Sequence, residues 1–98
     1  MCGATAIEDL STEGIDVANE AIIQGTVTVG GQPAAGAYVR LLDGSGEFTA
    51  EVVTSATGAY RFFARPGNWT LRALAADARG GASASAETGR VEEVNIAL

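Results

Sequence analysis

Segments in which apolar and polar side chains alternate every two residues recur between residue 21 and the end of the chain. In AIIQGTVTV, for example, Ile23 and Val27 alternate with Gln24 and Thr26. This period belongs to β-strands with one buried face. Further segments of this kind occupy residues 37–42, 47–54, 59–64, 68–74 and 90–98. Clusters of glycine, proline and serine separate most of them, as is typical of an antiparallel sandwich.

The remaining residues of the body, 75–89, are small and polar and can hold one short irregular strand between loops. We therefore predict an all-β fold, an antiparallel Greek-key sandwich of about seven strands, from Ala21 to Leu98. In the segment at 47–54 the alternation puts Phe48, Ala50 and Val52 on one face, opposite Glu51. A chain of 98 residues has room for one such domain.

Residues 1–20 differ from this body. They carry carboxylates without a basic partner, at Glu8, Asp9, Glu13, Asp16 and Glu20. Such a segment predicts an acidic, flexible N-terminal tail, which scattered apolar residues such as Leu10 can attach to the body. The tail lacks the basic and apolar regions of a secretory signal, and no segment has the length of a membrane span. We therefore expect a cytoplasmic protein that does not bind membranes.

The charged residues exclude several functions. Twelve carboxylates, six arginines and no lysine or histidine give a net charge of -6. An acidic surface repels phosphates, so we expect no binding to nucleic acid. Without histidine there is no ordinary general base near neutral pH, no Ser-His-Asp triad and no imidazole metal ligand. We therefore predict a protein that is not an enzyme and has no cofactor.

Four motifs follow one another along the body: G-x-V, G-A-x-V-x-L, T-x-x-x-G-x-Y-x-F and P-G-x-W-x-L. Their positions are Gly25, Val27, Gly36, Ala37, Val39, Leu41, Thr54, Gly58, Tyr60, Phe62, Pro66, Gly67, Trp69 and Leu71. This order resembles the carboxypeptidase-regulatory-like, prealbumin-type sandwich family, which implies that fold but no single function. Among enzymes on such sandwiches, hydroxyisourate hydrolase and intradiol dioxygenases require histidines, so the composition excludes both.

A second resemblance covers nearly the whole chain. The start MCGA, the motif GIDV at 14–17 and the run VRLLDGSGEFTAEVVTSATGAYRFFARPGNWTLRAL carry it. These features are similar to the short actinobacterial proteins of the SseC type, which are labelled as sulfur-metabolism proteins and are commonly encoded beside a thiosulfate sulfurtransferase. The resemblance implies a sulfurtransferase-type enzyme as partner.

Cys2 is the one thiol of the chain and its first candidate for chemistry. Removal of the initiator methionine would leave it beside an α-ammonium group, which lowers the pKa of a thiol and favours the nucleophilic thiolate. One hypothesis is a carrier thiol that accepts sulfur from a rhodanese-type partner. The alternative is an incidental cysteine in a tail. The start MCG also occurs in amidotransferases that use an N-terminal cysteine as nucleophile, but their chemistry needs a scaffold much larger than 98 residues.

A second candidate is a patch of arginines and aromatic side chains. The alternation places Tyr38, Arg40, Arg61, Phe63 and Arg72 on outward faces, and this composition is enriched at protein interfaces. The alternative is a set of solvated arginines that pair with carboxylates.

Two function hypotheses remain. The first is a non-catalytic accessory or sulfur-carrier protein that presents Cys2 to a sulfurtransferase. The second is an interaction module in which Cys2 is incidental. The loop DGSGE at 43–47 has carboxylates spaced as in calcium loops, but its composition favours a hairpin turn.

Overall fold

A computed structural model describes residues 3–4, as backbone, and residues 10–98. These residues form ten strands and one short 3₁₀ helix, Val17–Asn19. The strands are β1 (Gly3–Ala4), β2 (Ala21–Val29), β3 (Gln32–Pro33), β4 (Tyr38–Leu42), β5 (Phe48–Val53), β6 (Ala59–Ala64), β7 (Gly67–Ala75), β8 (Ala78–Ala86), β9 (Arg90–Glu93) and β10 (Ile96–Ala97). No helix in this part of the chain is long and apolar enough to cross a membrane.

The strands form two sheets that pack as a sandwich. Sheet I has the order β1-β6-β2-β10, with β3 and β9 also paired to β2, and sheet II has the order β5-β4-β7-β8. The all-β sandwich predicted from the alternation is confirmed. Its pairing is not purely antiparallel, because β9 and β10 both run parallel to β2. The segment at 75–89 contributes more than was predicted, since β8 is nine residues long and pairs with β7 along its whole length.

The core lies between the sheets and is built from the inward positions of the alternating segments. Ile23 and Phe62 of sheet I and Leu41 and Leu71 of sheet II have no exposed surface. Burying each such side chain stabilises the fold by about 1.5–3 kcal/mol. Trp69 is also buried, and its indole N–H donates to the backbone carbonyl of Arg65 at 2.9 Å.

The pairing with β2 is interrupted at Val94 and Asn95, the two residues between β9 and β10. Here the Asn95 side-chain oxygen accepts hydrogen bonds from the backbone N–H and the hydroxyl of Thr26, at 3.0 and 3.2 Å. The Val94 backbone carbonyl lies so close to Gly25 that a methyl group there would overlap its oxygen. Glycine is required at position 25 because the two backbones approach each other without room for a side chain.

The N-terminal segment lies against the outer face of sheet I. The Gln24 amide donates to the carbonyl of Leu10 at 3.0 Å, and the Arg61 guanidinium donates to the carbonyl of Ser11 at 2.6 Å. Near the end of the segment, the Gly89 N–H donates to the carbonyl of Glu20 at 2.8 Å. These hydrogen bonds join the acidic segment, at Leu10, Ser11 and Glu20, to the sandwich.

Candidate docking face

The outer face of sheet II carries the most distinctive group of exposed side chains in the described part of the chain. Strand register sets them in rows across β5, β4, β7 and β8. One row holds Val53, Tyr38, Leu74 and Arg79. The next row holds Glu51, Arg40, Arg72 and Gly81. We call this surface the docking face.

The first row is largely apolar. Tyr38 lies opposite Val53 on one side and Leu74 on the other. Tyr38 and Val53 are each 49% exposed, and Leu74 is 41% exposed. Single exposed apolar side chains are ordinary, but three neighbours across three strands form a contiguous patch.

The second row and the end of the first are cationic. The Arg40 Nε–H donates to the Glu51 carboxylate at 2.7 Å, so Arg40 is ion-paired on the surface. Arg72 lies opposite Arg40 on the neighbouring strand, and Arg79 lies opposite Leu74. Among the residues that the structure describes, neither Arg72 nor Arg79 has an ion-pair partner. Like charges directly opposite each other repel, so the Arg40–Arg72 pair is held in place by the fold.

A groove of about 430 Å³ lies between these side chains. Tyr38 and Leu74 form its apolar lining, and Arg40, Arg72 and Arg79 form its cationic lining. This volume is within the usual range of ligand sites. The arrangement suits a group that carries negative charge beside an apolar part.

Phe48 also belongs to this surface, and the simple alternation did not indicate that. A bulge between β4 and β5 changes the register between Leu41 and Leu42, so that Leu42 pairs with Phe48. Phe48 is separated from the inward positions of Ala50 and Val52, is 60% exposed, and lies 6.0 Å from the Arg40 guanidinium. The glycine-rich turn before Phe48, which the sequence indicated only as a hairpin turn, is the nearest signal in the sequence to this irregularity.

Two residues predicted for this patch lie elsewhere. Arg61 was expected to face solvent, and that prediction is wrong: its side chain is 5% exposed on sheet I. Its Nε–H donates to the Gln24 side-chain oxygen at 2.7 Å, and the N-terminal segment covers it. Phe63, on the same strand, is half-buried beside Ile22 and Gly3 in the ladder. Tyr38, Arg40 and Arg72 share one face as expected.

Cys2, the predicted carrier thiol, lies outside the described residues. Gly3 is the first described residue; it belongs to β1, an edge strand of sheet I, and its backbone pairs with Phe63 of β6.

The loop at 43–47 is a hairpin turn in which the Asp43 carboxylate accepts hydrogen bonds from other residues of the loop. The Asp43 side chain accepts hydrogen bonds from the Ser45 hydroxyl and from the backbone N–H groups of Ser45 and Glu47, at 2.7–3.0 Å. These bonds, the one from the Ser45 hydroxyl first, lower the pKa of Asp43. Within residues 10–98, no group of three carboxylate or thiol side chains has a metal-binding arrangement.

The Tyr60 hydroxyl is a buried polar group that makes one hydrogen bond to the backbone. Its hydroxyl donates to the Val94 carbonyl at 2.6 Å, next to the close approach at Gly25. Burial, aided by the nearby charge of Glu93, raises the pKa of Tyr60 well above its usual range. The phenol is therefore a structural donor that closes the end of the core.

The fold and this surface define a β-sandwich protein with one cationic and partly apolar sheet face. The chain belongs to the DUF1416 family, described as proteins of unknown function, whose model matches residues 2–98. An uncharacterized protein of Mycolicibacterium smegmatis is 51% identical over 84 residues, which are 85% of this chain and 93% of that protein. An uncharacterized protein of Mycobacterium tuberculosis is 52% identical over 85 residues, 86% of this chain and 85% of that protein.

Two solved structures share the fold at low sequence identity. The dioxygenase domain of a dioxygenase carbohydrate-binding protein fusion from Streptomyces sp. SirexAA-E has a TM-score of 0.62 and 12% identity, over 96% of this chain and 89% of that one. Chlorocatechol 1,2-dioxygenase from Pseudomonas putida has a TM-score of 0.57 and 16% identity, over 99% and 72%. At these identities the similarity establishes the fold alone.

Proposed function

We propose that this protein is a non-catalytic accessory protein that docks another protein through the outer face of sheet II. The observation that carries the proposal is the apolar row of Tyr38, Val53 and Leu74, exposed beside arginines that have no ion-pair partner in the described residues. Aromatic residues and arginine are the types enriched at the centres of protein interfaces.

The composition supports a role in binding rather than catalysis. Two solved structures of similar fold are dioxygenases, but this chain has no histidine for general base or metal-ligand chemistry. The buried polar side chains of Tyr60 and Arg61 donate hydrogen bonds to the protein's own backbone carbonyls. We place the protein in the cytoplasm, in keeping with its single cysteine.

Site-specific photo-crosslinking tests the docking face. A photoreactive phenylalanine analogue replaces Tyr38 in one variant and Glu93, exposed on sheet I, in a control. In cells that produce the protein, we expect one defined crosslinked adduct from position 38 and none from position 93. Adding Val53→Ser and Leu74→Ser should abolish the adduct and leave the free energy of unfolding within about 1 kcal/mol. Equal adducts from both positions, or none from either, contradict the proposal.

A sulfur-carrier role for Cys2 is the second candidate. It is favoured by the resemblance to SseC-type proteins and by the pairing of Gly3 at the edge of sheet I, which anchors the chain directly after Cys2. In this role the Cys2 thiolate attacks the outer sulfur of a persulfide on a sulfurtransferase. A new S–S bond forms on Cys2, the old one breaks, and the sulfurtransferase leaves as its thiolate, so that no external oxidant is needed.

Mass spectrometry tests this second role. The protein is incubated with thiosulfate and a thiosulfate sulfurtransferase. We expect an added mass of about 32 Da on Cys2, which a thiol reductant removes. The same adduct on a Cys2→Ser variant, or no adduct on the wild type, contradicts the carrier role without bearing on the docking face.

A further inference from the structure

The docking face has a charge opposite to that of the rest of the molecule. Its strand residues include Arg40, Arg72 and Arg79 and one carboxylate, Glu51. These four groups give the face a charge of +2. Because the net charge of the chain is -6, all other residues together carry a charge of -8. An approaching acidic surface is therefore attracted to this face and repelled by the others, which fixes the orientation of an encounter.

The arginines on the face differ in their availability. Glu51 already neutralises Arg40 at 2.7 Å, whereas Arg72 faces that same arginine across the ladder with no carboxylate of its own among the described residues. A carboxylate placed over Arg72 would relieve the repulsion between the two guanidinium groups. It would also accept two parallel N–H bonds, the geometry that guanidinium and carboxylate groups prefer.

Arg79 provides a second cation within reach of the same ligand. It lies opposite Leu74, and Arg72 is two residues before Leu74 on β7, so Arg72 and Arg79 are diagonal neighbours on one face. Diagonal positions on adjacent strands are about 7–8 Å apart, which is within reach of long side chains. Two carboxylates that lie close together on one segment can engage both guanidinium groups.

The apolar lining requires more of the ligand than charge. Tyr38 and Leu74 are opposite each other in the ladder and line the groove together with these arginines, and both are more than two-fifths exposed. Covering them with an apolar side chain would remove their surface from water, which is favourable in proportion to the area covered. A simple anion would leave Tyr38 and Leu74 exposed to water.

On the basis of the proposed docking role, we infer that the partner presents an acidic segment in which Glu or Asp residues flank an apolar side chain. The carboxylates bind Arg72 and Arg79, and the apolar side chain lies between Tyr38 and Leu74. A nucleic acid does not suit the face, because its continuous phosphate charge would also meet the -8 of the surrounding surface. A short acidic segment places its charge only where the arginines are.

A peptide titration tests this inference. The probe is a synthetic ten-residue peptide of alternating Glu and Leu, and the matched control has Lys in place of every Glu. We expect the acidic peptide to shift the backbone amide NMR signals of β4, β7 and β8, with an affinity that falls as salt is raised, and the Lys peptide to leave them unchanged. Equal shifts with both peptides, or no shifts with the acidic one, overturn the inference.

Three arginine variants make the test specific. Arg72→Glu should lower the affinity for the acidic peptide at least about tenfold. Arg72→Lys should lower it less, because lysine keeps the positive charge. Arg65→Glu, in the loop between β6 and β7, makes the same charge change away from the groove and should bind as wild type. Thermal unfolding confirms that each variant is folded; if Arg72→Glu does not fold, Arg79→Glu replaces it. Equal weakening by Arg65→Glu and Arg72→Glu overturns the inference.

The outcomes also separate this inference from the docking role itself. If the crosslink at position 38 forms and is unaffected by Arg72→Glu, the face docks a protein but does not recognise an acidic segment. If inorganic phosphate or acetate produces the same shifts as the acidic peptide at equal charge concentration, the site binds simple anions, and the apolar part of the inference is wrong.

Discussion

At the scale of single residues, the pairing of β9 and β10 with β2 in sheet I depends on a few contacts around Gly25. Gly25 lets the Val94 carbonyl approach the β2 backbone, and the Tyr60 hydroxyl donates to that same carbonyl. Asn95 then replaces a backbone partner for Thr26. Together these contacts allow β9 and β10 to pair with β2 on either side of an irregular step.

We expect Gly25→Ala to destabilise the protein by about 3 kcal/mol, because the new methyl group overlaps backbone that has no room to move. The free energy of unfolding in urea measures the effect. Gly44→Ala is the matched control, since position 44 has ordinary space for a methyl group, and it should change stability by less than about 0.5 kcal/mol. Similar losses in the two variants would show that the close approach is unimportant.

The buried phenol predicts an alkaline loss of stability. Burial raises the pKa of Tyr60 in the folded state, while in the unfolded chain it ionises near its usual value of about 10. The stabilisation is therefore complete below about pH 10 and is lost progressively above it, as the unfolded state releases the proton first. The chain has no lysine to titrate in this range, which makes the effect easier to assign.

Tyr60→Phe checks this assignment. The variant should lose about 1 kcal/mol at pH 7, the usual value of one hydrogen bond, and should show a smaller decline in unfolding free energy between about pH 9 and 11 than wild type. Urea unfolding at several pH values measures both. Equal alkaline slopes in the two proteins would mean that Tyr60 is not the group responsible.

At the scale of strands, the bulge between β4 and β5 decides which side chains reach the docking face. A strict alternation over residues 48–53 keeps Phe48 with Ala50 and Val52. The change of register at Leu41 and Leu42 instead places Phe48 outside, within 6.0 Å of Arg40. One extra residue in a strand moves a side chain to the opposite face because the period is two.

Two phenylalanine variants test this position. Phe48→Ala should change the free energy of unfolding by less than about 1 kcal/mol, because the ring is 60% exposed. Phe62→Ala removes a ring with no exposed surface and should cost about 3–5 kcal/mol. A loss at position 48 that matches the loss at position 62 would place Phe48 in the core and contradict the bulge.

At the scale of the whole molecule, the two sheets have different outer faces. The outer face of sheet I is covered by the N-terminal segment, which receives hydrogen bonds from Gln24 and Arg61. The outer face of sheet II remains open and carries the exposed apolar row together with Arg72 and Arg79, which have no ion-pair partner among the described residues. The covering of one face therefore leaves the other as the sheet face whose side chains are exposed to solvent.

The importance of this cover is tested by Arg61→Met, which keeps most of the side-chain volume but removes two hydrogen bonds from the buried guanidinium. We expect a loss of about 2 kcal/mol and faster amide hydrogen exchange in residues 10–20. Arg72→Met makes the same change on the open face and should have little effect on either measurement. Unchanged exchange in the Arg61 variant would show that Arg61 does not hold the segment.

The sequence alone determined the class of fold and much of the core. Its alternation predicts strands and their inward residues, because a strand that covers a core must be apolar on every second position. The absence of histidine likewise means that this chain has no imidazole general base and no imidazole metal ligand, which the sequence shows without any structure. The grouping of Tyr38, Arg40 and Arg72 on outward positions follows from the same alternation.

Only the tertiary structure decided what covers each outward face. Alternation states that Arg61 and Arg72 both point away from the core, but it contains no information about a segment many residues away. Arg61 is buried because Ser11 returns to it from fifty residues earlier, whereas nothing in the described chain returns to Arg72. The parallel pairing of β9 and β10 and the outward turn of Phe48 depend in the same way on contacts between distant segments, which a local pattern cannot specify.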